Sequence, residues 1–188
     1  MILGGTALKR AFLLGGWTAY RGDDRIDPTK LIGANSIDVT LGNRFIVFPP
    51  NQDIDTMKPK TLKYRKVTDE VKSLLSGAFI LGHTQERFDC SEPFEKAYYA
   101  PQLEGRSTLA RLGISVHLSA GFGDFGFKGC FTLELVNHSQ NIVKLHAGQR
   151  IAQVFFLRVL EPTRYNGTYS GDEHNYGPIP PKIGPTKF

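Results

Sequence analysis

Hydrophobic and polar residues alternate most cleanly in two places. In Ile37-Asp38-Val39-Thr40-Leu41, three apolar side chains fall on one side of an extended chain and Asp38 and Thr40 on the other. In Phe131-Thr132-Leu133-Glu134-Leu135-Val136, Phe131, Leu133 and Leu135 share one face while Thr132, Glu134 and Val136 share its opposite. A period of two predicts strands, and it sets Glu134 mid-strand among largely uncharged neighbours. From Phe79 onward, segments of this kind recur, short and separated by Gly, Pro, Asn and His-Ser turns, the rhythm of a sandwich or barrel. Helical spacing is confined to two stretches. Thr6 to Leu14 has Leu8 and Phe12 four residues apart behind a capping Thr6, and Thr68 to Leu75 carries a capping signature. Pro49-Pro50-Asn51 closes the early hairpin region. Residues 162–188 are rich in Pro, Gly, Tyr and Asn and hold no apolar period, so they read as an extended, mobile tail. The pattern therefore predicts one mainly β domain over residues 1–161, with a few short helices and a flexible tail at 162–188.

Size and composition agree with that division. A chain of 188 residues can bury one core but is short for two ordinary enzyme domains. Its 40% hydrophobic and 22% charged residues are near globular averages, and no apolar run could cross a bilayer. The run Ala11 to Leu14 is shorter than a secretory core, so a cytoplasmic protein without a membrane partner is expected. Cys90 and Cys130 are the only cysteines, far apart and without a CxxC partner. Structural zinc is not expected, and both thiols should be buried and reduced. The net charge of +5 calls for an anionic partner, such as a nucleotide phosphate tail. No dense Lys/Arg block interleaved with aromatics stands out in this reading, so no nucleic-acid partner is expected. The five histidines are dispersed, with no pair at metal-ligating spacing, and His117 is expected to be structural.

The candidate chemistry begins at Gly105-Arg106-Ser107-Thr108-Leu109-Ala110-Arg111-Leu112-Gly113, where a flexible glycine, two hydroxyls and a guanidinium suit a phosphate tail. Taken alone, the stretch fits equally well a helix capped by Ser107 with exposed arginines. Three further stretches bear on the choice: Ser36-Ile37-Asp38-Val39-Thr40-Leu41-Gly42-Asn43-Arg44-Phe45, Ala120-Gly121-Phe122-Gly123-Asp124-Phe125-Gly126-Phe127, and Gly148-Gln149-Arg150-Ile151-Ala152-Gln153-Val154-Phe155-Phe156. In that order and spacing, the four resemble the motifs of the dCTP deaminase family within the dCTP deaminase and dUTPase superfamily. The departures are Thr40 where arginine is usual, and Gly123 and Phe125 where isoleucine and proline are usual. In the tail, Tyr165 to Gly171 resembles the closing pattern of the deaminases, with Thr168 in place of its lysine.

The resemblance implies a distorted β-barrel or jelly roll of the dUTPase-like (β-clip) type, assembled as a homotrimer with sites at subunit boundaries. It implies hydrolytic deamination of dCTP to dUTP and ammonia without zinc, since neither an H-x-E nor a P-C-x-x-C is present. Glu134 would shuttle protons, Ser107 and the Ala120 carbonyl would position the water, and Arg111 would orient Glu134. Arg106, Thr108 and Gln153 would hold phosphates, with magnesium carried on the phosphate oxygens rather than in a protein cage. Asp124 would accept from the deoxyribose 3′-hydroxyl, Phe127 would exclude a ribose, and Tyr165 and Tyr169 would close over the nucleotide. Because Asp124 and Glu134 are both in place, a bifunctional enzyme releasing dUMP and pyrophosphate is the main alternative. A deaminase of dCMP or of a modified deoxycytidine nucleotide, and a non-catalytic nucleotide-sensing, protein-binding module, are the others.

Overall fold

The computed structural model of the chain describes residues 1–167, 169 and 177–184. The expectations for Thr168, Ser170, Gly171 and His174 lie outside the described residues. In chain order the elements are helix α1 (Gly5–Leu13) and strands β1 (Thr18–Arg21), β2 (Asp24–Arg25), β3 (Ile37–Thr40), β4 (Arg44–Val47), β5 (Arg65–Thr68), β6 (Val71–Leu74), β7 (Phe79–Asp89) and β8 (Tyr98–Gly105). There follow helix α2 (Ser107–Arg111) and strands β9 (Ile114–Ser115), β10 (Lys128–Asn137), β11 (Val143–His146) and β12 (Arg150–Val159). None of the described helices is long and apolar enough to cross a membrane.

A seven-stranded sheet runs β2-β1-β7-β10-β9, with β4 and β5 attached beside β7. A second sheet orders β3-β12-β8, and β6 and β11 form a separate ribbon. The expected closure into a barrel does not occur among the described residues. The two larger sheets are joined by no continuous ladder, only by single bridges such as Leu41 to Thr84. They face each other across a core in which Trp17 packs against Phe12, Phe88 and Phe156 at centroid distances of 5.1, 5.9 and 5.6 Å. The Trp17 indole donates to the Leu8 carbonyl at 3.1 Å, so α1 is fastened to the core by a buried polar handle as well as by Leu8 and Phe12.

The alternating segments behave as their pattern predicts. Ile37, Val39 and Leu41 are wholly buried, and Phe131, Leu133 and Leu135 point into the core while Thr132, Glu134 and Val136 are half-buried on the other face. The helix expected at 68–75 is instead the end of β5 and the whole of β6. Its polar residues are engaged elsewhere: Glu70 accepts from the Asn43 side-chain amide at 2.8 Å, and the Asp69 amide donates to the Asn43 carbonyl at 2.9 Å. Val71 to Leu74 then pairs with β11, a long-range ladder that overrides a short local propensity. The first helix begins two residues early, with Gly4 rather than Thr6 at its N-cap.

Strand β7 carries the sheet's one large irregularity. Between Cys130 and Thr132 on β10 its register jumps from Arg87 to His83, so β7 bulges around Thr84 to Glu86. The bulge turns Glu86 inward to 1% exposure, where it accepts from the Thr40 amide and hydroxyl, both at 2.7 Å, and pairs with Arg21 at 2.6 Å. Three donors thus compensate a buried carboxylate, and Arg21 supplies a guanidinium next to the position where the family's arginine is replaced by Thr40.

Candidate active site

The face of β10 turned away from the core forms the floor of a cavity of 460 Å³. Glu134 lies opposite Leu81 of β7 and between Thr132 and Val136 on its own strand. One of its carboxylate oxygens, Oε2, accepts from the Leu118 amide at 2.8 Å, and its backbone amide donates to the Val116 carbonyl at 2.9 Å. Among the described residues the other oxygen, Oε1, has no hydrogen-bond partner. Glu134 is therefore held by one oxygen and presents a free acceptor, as a proton shuttle needs.

The cavity's other wall is the loop from Leu118 to Phe127. It is pinned to β8 by two backbone bonds, Leu103 N to Gly121 O at 2.7 Å and Gly123 N to Pro101 O at 2.8 Å. A Cβ at Gly123 would stand 3.0 Å from Pro101 Cγ, so glycine here permits the close approach that the family's isoleucine would resist. Asp124 to Phe127 make a tight turn closed by Phe127 N to Asp124 O at 3.0 Å, with Gly126 at a φ of +90°. Phe125 takes the position where proline is usual, and its buried ring packs edge-on against Tyr98 at 5.0 Å. Asp124 is left exposed at the cavity rim, and Phe127 stacks on Phe131 at 4.5 Å to make a rigid aromatic wall.

The cavity also brings in Ala120, Tyr165 and Tyr169. The Tyr165 amide donates to the Phe125 carbonyl at 2.9 Å, and its hydroxyl accepts from the Tyr169 amide at 3.2 Å. Further on, the Ile179 amide donates to Thr132 Oγ1 at 3.1 Å, so the described part of the tail lies along its own chain's cavity. Cys130 also lines it, but burial pushes its thiol up to about 12, which keeps it protonated and inert. Cys130 and Cys90 are both free and buried.

Six of the eleven expected site residues thus meet in one cavity, and the remaining five do not. Ser107, Thr108 and Arg111 sit on α2 with exposed side chains, and none of them lines the cavity. Ser107 is not a cap either, since Arg106 occupies that position without a side-chain bond. Arg106 and Gln153 belong to a second polar group. Arg106 is ion-paired with Asp38, which also binds Arg150 at 3.0 Å, and Gln153 accepts from Ser36 at 3.0 Å. One carboxylate shared by two guanidinium groups leaves a net positive, pre-oriented site suited to an anion.

Sequence reasoning missed Asp38 and Arg150 as a pair, although β3 and β12 both carry motif residues and their register puts Asp38 beside Gln153. It also missed the Leu118 amide, which no side-chain pattern could reveal. His117 is placed by Glu104, 3.4 Å away, while its Nδ1 is buried without a partner. Among the described residues no three His, Cys, Asp or Glu side chains come together in a group that could hold a metal ion.

A family model described as DCD: dCTP deaminase-like matches residues 12–159. The chain belongs to the dCTP deaminase-like family. A protein of Methanospirillum hungatei named dCTP deaminase, dUMP-forming is 37% identical over 143 residues, covering 73% of this chain and 72% of the relative. Proteins of the same name from Cytophaga hutchinsonii and Methanopyrus kandleri are 35% and 36% identical, each covering 82% of this chain and 80% and 81% of their own lengths. The fold resembles the crystal structure of 2′-deoxycytidine 5′-triphosphate deaminase from Agrobacterium tumefaciens, with a TM-score of 0.57 at 18% identity. That match covers 84% of this chain, which spans 47% of the other.

These names correct one expectation. The reading that the reaction stops at dUTP does not stand, because the relatives are named for forming dUMP. The dUMP-forming alternative was expected from Asp124 and Glu134 together, and Asp124 lies on the rim of the Glu134 cavity.

Proposed function

We propose that this chain deaminates dCTP and then hydrolyses the nucleotide to dUMP and pyrophosphate. The observation that supports it most is the single cavity carrying Glu134 on its floor and Asp124 on its rim. In the first step Glu134 takes a proton from a water that adds to C4 of cytosine. It delivers that proton to ring N3 and carries the next to the amino nitrogen, so that ammonia leaves. The Leu118 amide keeps the carboxylate in register through both transfers. In the second step Asp124 takes the proton of a water attacking the α-phosphorus, and pyrophosphate departs. Phe127, stacked on Phe131, would pack on the sugar and exclude a 2′-hydroxyl, which would favour a deoxyribose.

The phosphate groups would lie on Arg106, Ser107, Thr108 and Gln153 supplied by a neighbouring subunit, with Arg111 of that neighbour facing Glu134. This completes the site in a homotrimer. Residues 162–188 would act as the segment that closes over the nucleotide, apart from the domain of residues 1–161. Magnesium would travel on the phosphates, and the chain would work in the cytoplasm.

Incubating the full chain with dCTP and following ammonia, pyrophosphate and the nucleotide products tests the reading. Equal yields of ammonia, pyrophosphate and dUMP are expected. Ammonia with dUTP and no pyrophosphate overturns the second step, and Glu134→Gln with unchanged ammonia release overturns the first.

A further inference from the structure

The nine residues Lys58 to Lys66 hold five cations and no acid, which equals the whole net charge of +5, so the rest of the chain is neutral overall. No dense Lys/Arg block alternating with aromatics was expected, and this segment, with Tyr64 among its cations, departs from that. Pro59, Thr61 and Leu62 interrupt the run of charges along the sequence. Lys58, Lys60, Lys63, Arg65 and Lys66 are all exposed, and Tyr64 is 39% exposed between Lys63 and Arg65. Lys58 pairs with Asp55 at 2.9 Å, while Lys60, Lys63, Arg65 and Lys66 have no carboxylate within ion-pair distance among the described residues.

The strip is rigid. Gln52 accepts from the Lys63 amide at 2.7 Å and donates to the Lys63 carbonyl at 3.0 Å, and the Thr61 hydroxyl donates to the Lys58 carbonyl at 2.8 Å. Its second half is β5, which pairs only with β4 and so forms a sheet edge. Lys66, Ile46, Leu81 and Glu134 form one row across four strands, which puts Lys66 about three strand spacings, roughly 14 Å, from Glu134 on the same sheet face. The segment 179–184 runs from the cavity to this strip, where the Gly184 amide donates to the Thr56 carbonyl at 2.9 Å.

We infer that residues 58–66 dock a single-stranded nucleic acid across the sheet edge beside the cavity. An extended segment with four cations outside any ion pair suits a backbone with evenly repeated phosphates, and an exposed tyrosine among them offers a base a stacking face. A membrane is the weaker fit, because the strip contains no amphipathic helix to enter the interface. This inference does not depend on the reaction proposed above.

The test is fluorescence anisotropy of the full-length protein with labelled oligo-dT of about 15 nucleotides across a range of salt concentrations. Four to five phosphate contacts predict a slope of log K against log salt of about −2.8 to −3.5. The variant Lys60→Gln/Lys63→Gln/Arg65→Gln should lose most of the binding and flatten the slope to about −1, with dCTP turnover retained as the check on folding. Tyr64→Ala should weaken binding about tenfold without altering the slope. Absence of binding at low salt, an unchanged slope in the triple variant, or equally tight binding of anionic vesicles or polyglutamate overturns the inference.

Discussion

Two inactive variants should rescue each other. Ser107 and Arg111 are absent from the cavity that holds Glu134 in the same chain, so a working site built from both must draw them from different subunits. Arg111→Ala removes the proposed partner of Glu134, and Glu134→Gln removes the shuttle; each alone should lower kcat by about 10² to 10⁴. In mixed oligomers of a closed ring, an intact site needs Glu134 from an Arg111→Ala chain beside Arg111 from a Glu134→Gln chain. Random equal mixing gives that pairing at about one site in four. The co-expressed, co-purified mixture should therefore show about a quarter of the wild-type ammonia release, at unchanged KM. The assay is turnover of dCTP by each variant and by the mixture, with oligomer mass checked by light scattering. A mixture no more active than its components, with assembly intact, would refute the shared site and require α2 to reach Glu134 within one chain.

Further outcomes follow from single groups. Glu86→Ala strands the Thr40 amide and hydroxyl in a dry bulge and removes the partner of Arg21, so urea denaturation should show a loss of about 3 kcal/mol or more. Burial holds His83 below its ordinary pKa of 6.5, so the native state refuses a proton that the unfolded chain accepts. Its contribution to stability is complete above about 6.5 and is lost as pH falls below it, at up to about 1.4 kcal/mol per pH unit, and His83→Gln should flatten that part of the stability-pH curve. Gly126→Ala meets a φ of +90° and places a Cβ 2.7 Å from Arg164 Cγ, so it should destabilise the fold by about 1 kcal/mol or more and lower turnover by shifting the Asp124 turn. Cys130 should resist a thiol reagent at pH 8 in the native protein and react on unfolding; native labelling would contradict its burial.

What could be read from the residues alone divides along a physical line. Glu134 was legible because a period of two assigns its face without any knowledge of the partner strand, and β10 obeys it residue by residue. The strand that carries Asp38 was legible for the same reason and the one that carries Gln153 through its motif, yet the Asp38–Arg150 pair was not, since register across β3 and β12 is a tertiary property. Thr68 to Leu75 failed as a helix because a four-residue ladder to β11 outweighs a capping signature, and the partner lies about 70 residues along the chain. The Leu118 amide was invisible, as any backbone donor must be until a loop is folded. The bulge in β7 was invisible too, and it is what converts Glu86 from a plausible surface charge into the polar clasp of β3 and β1. Side-chain periodicity thus locates the proposed reacting group, whereas register, bulge and backbone amide decide how that group is held. The separation of α2 from the Glu134 cavity belongs to this second kind of information, and it is what the mixed-oligomer experiment tests.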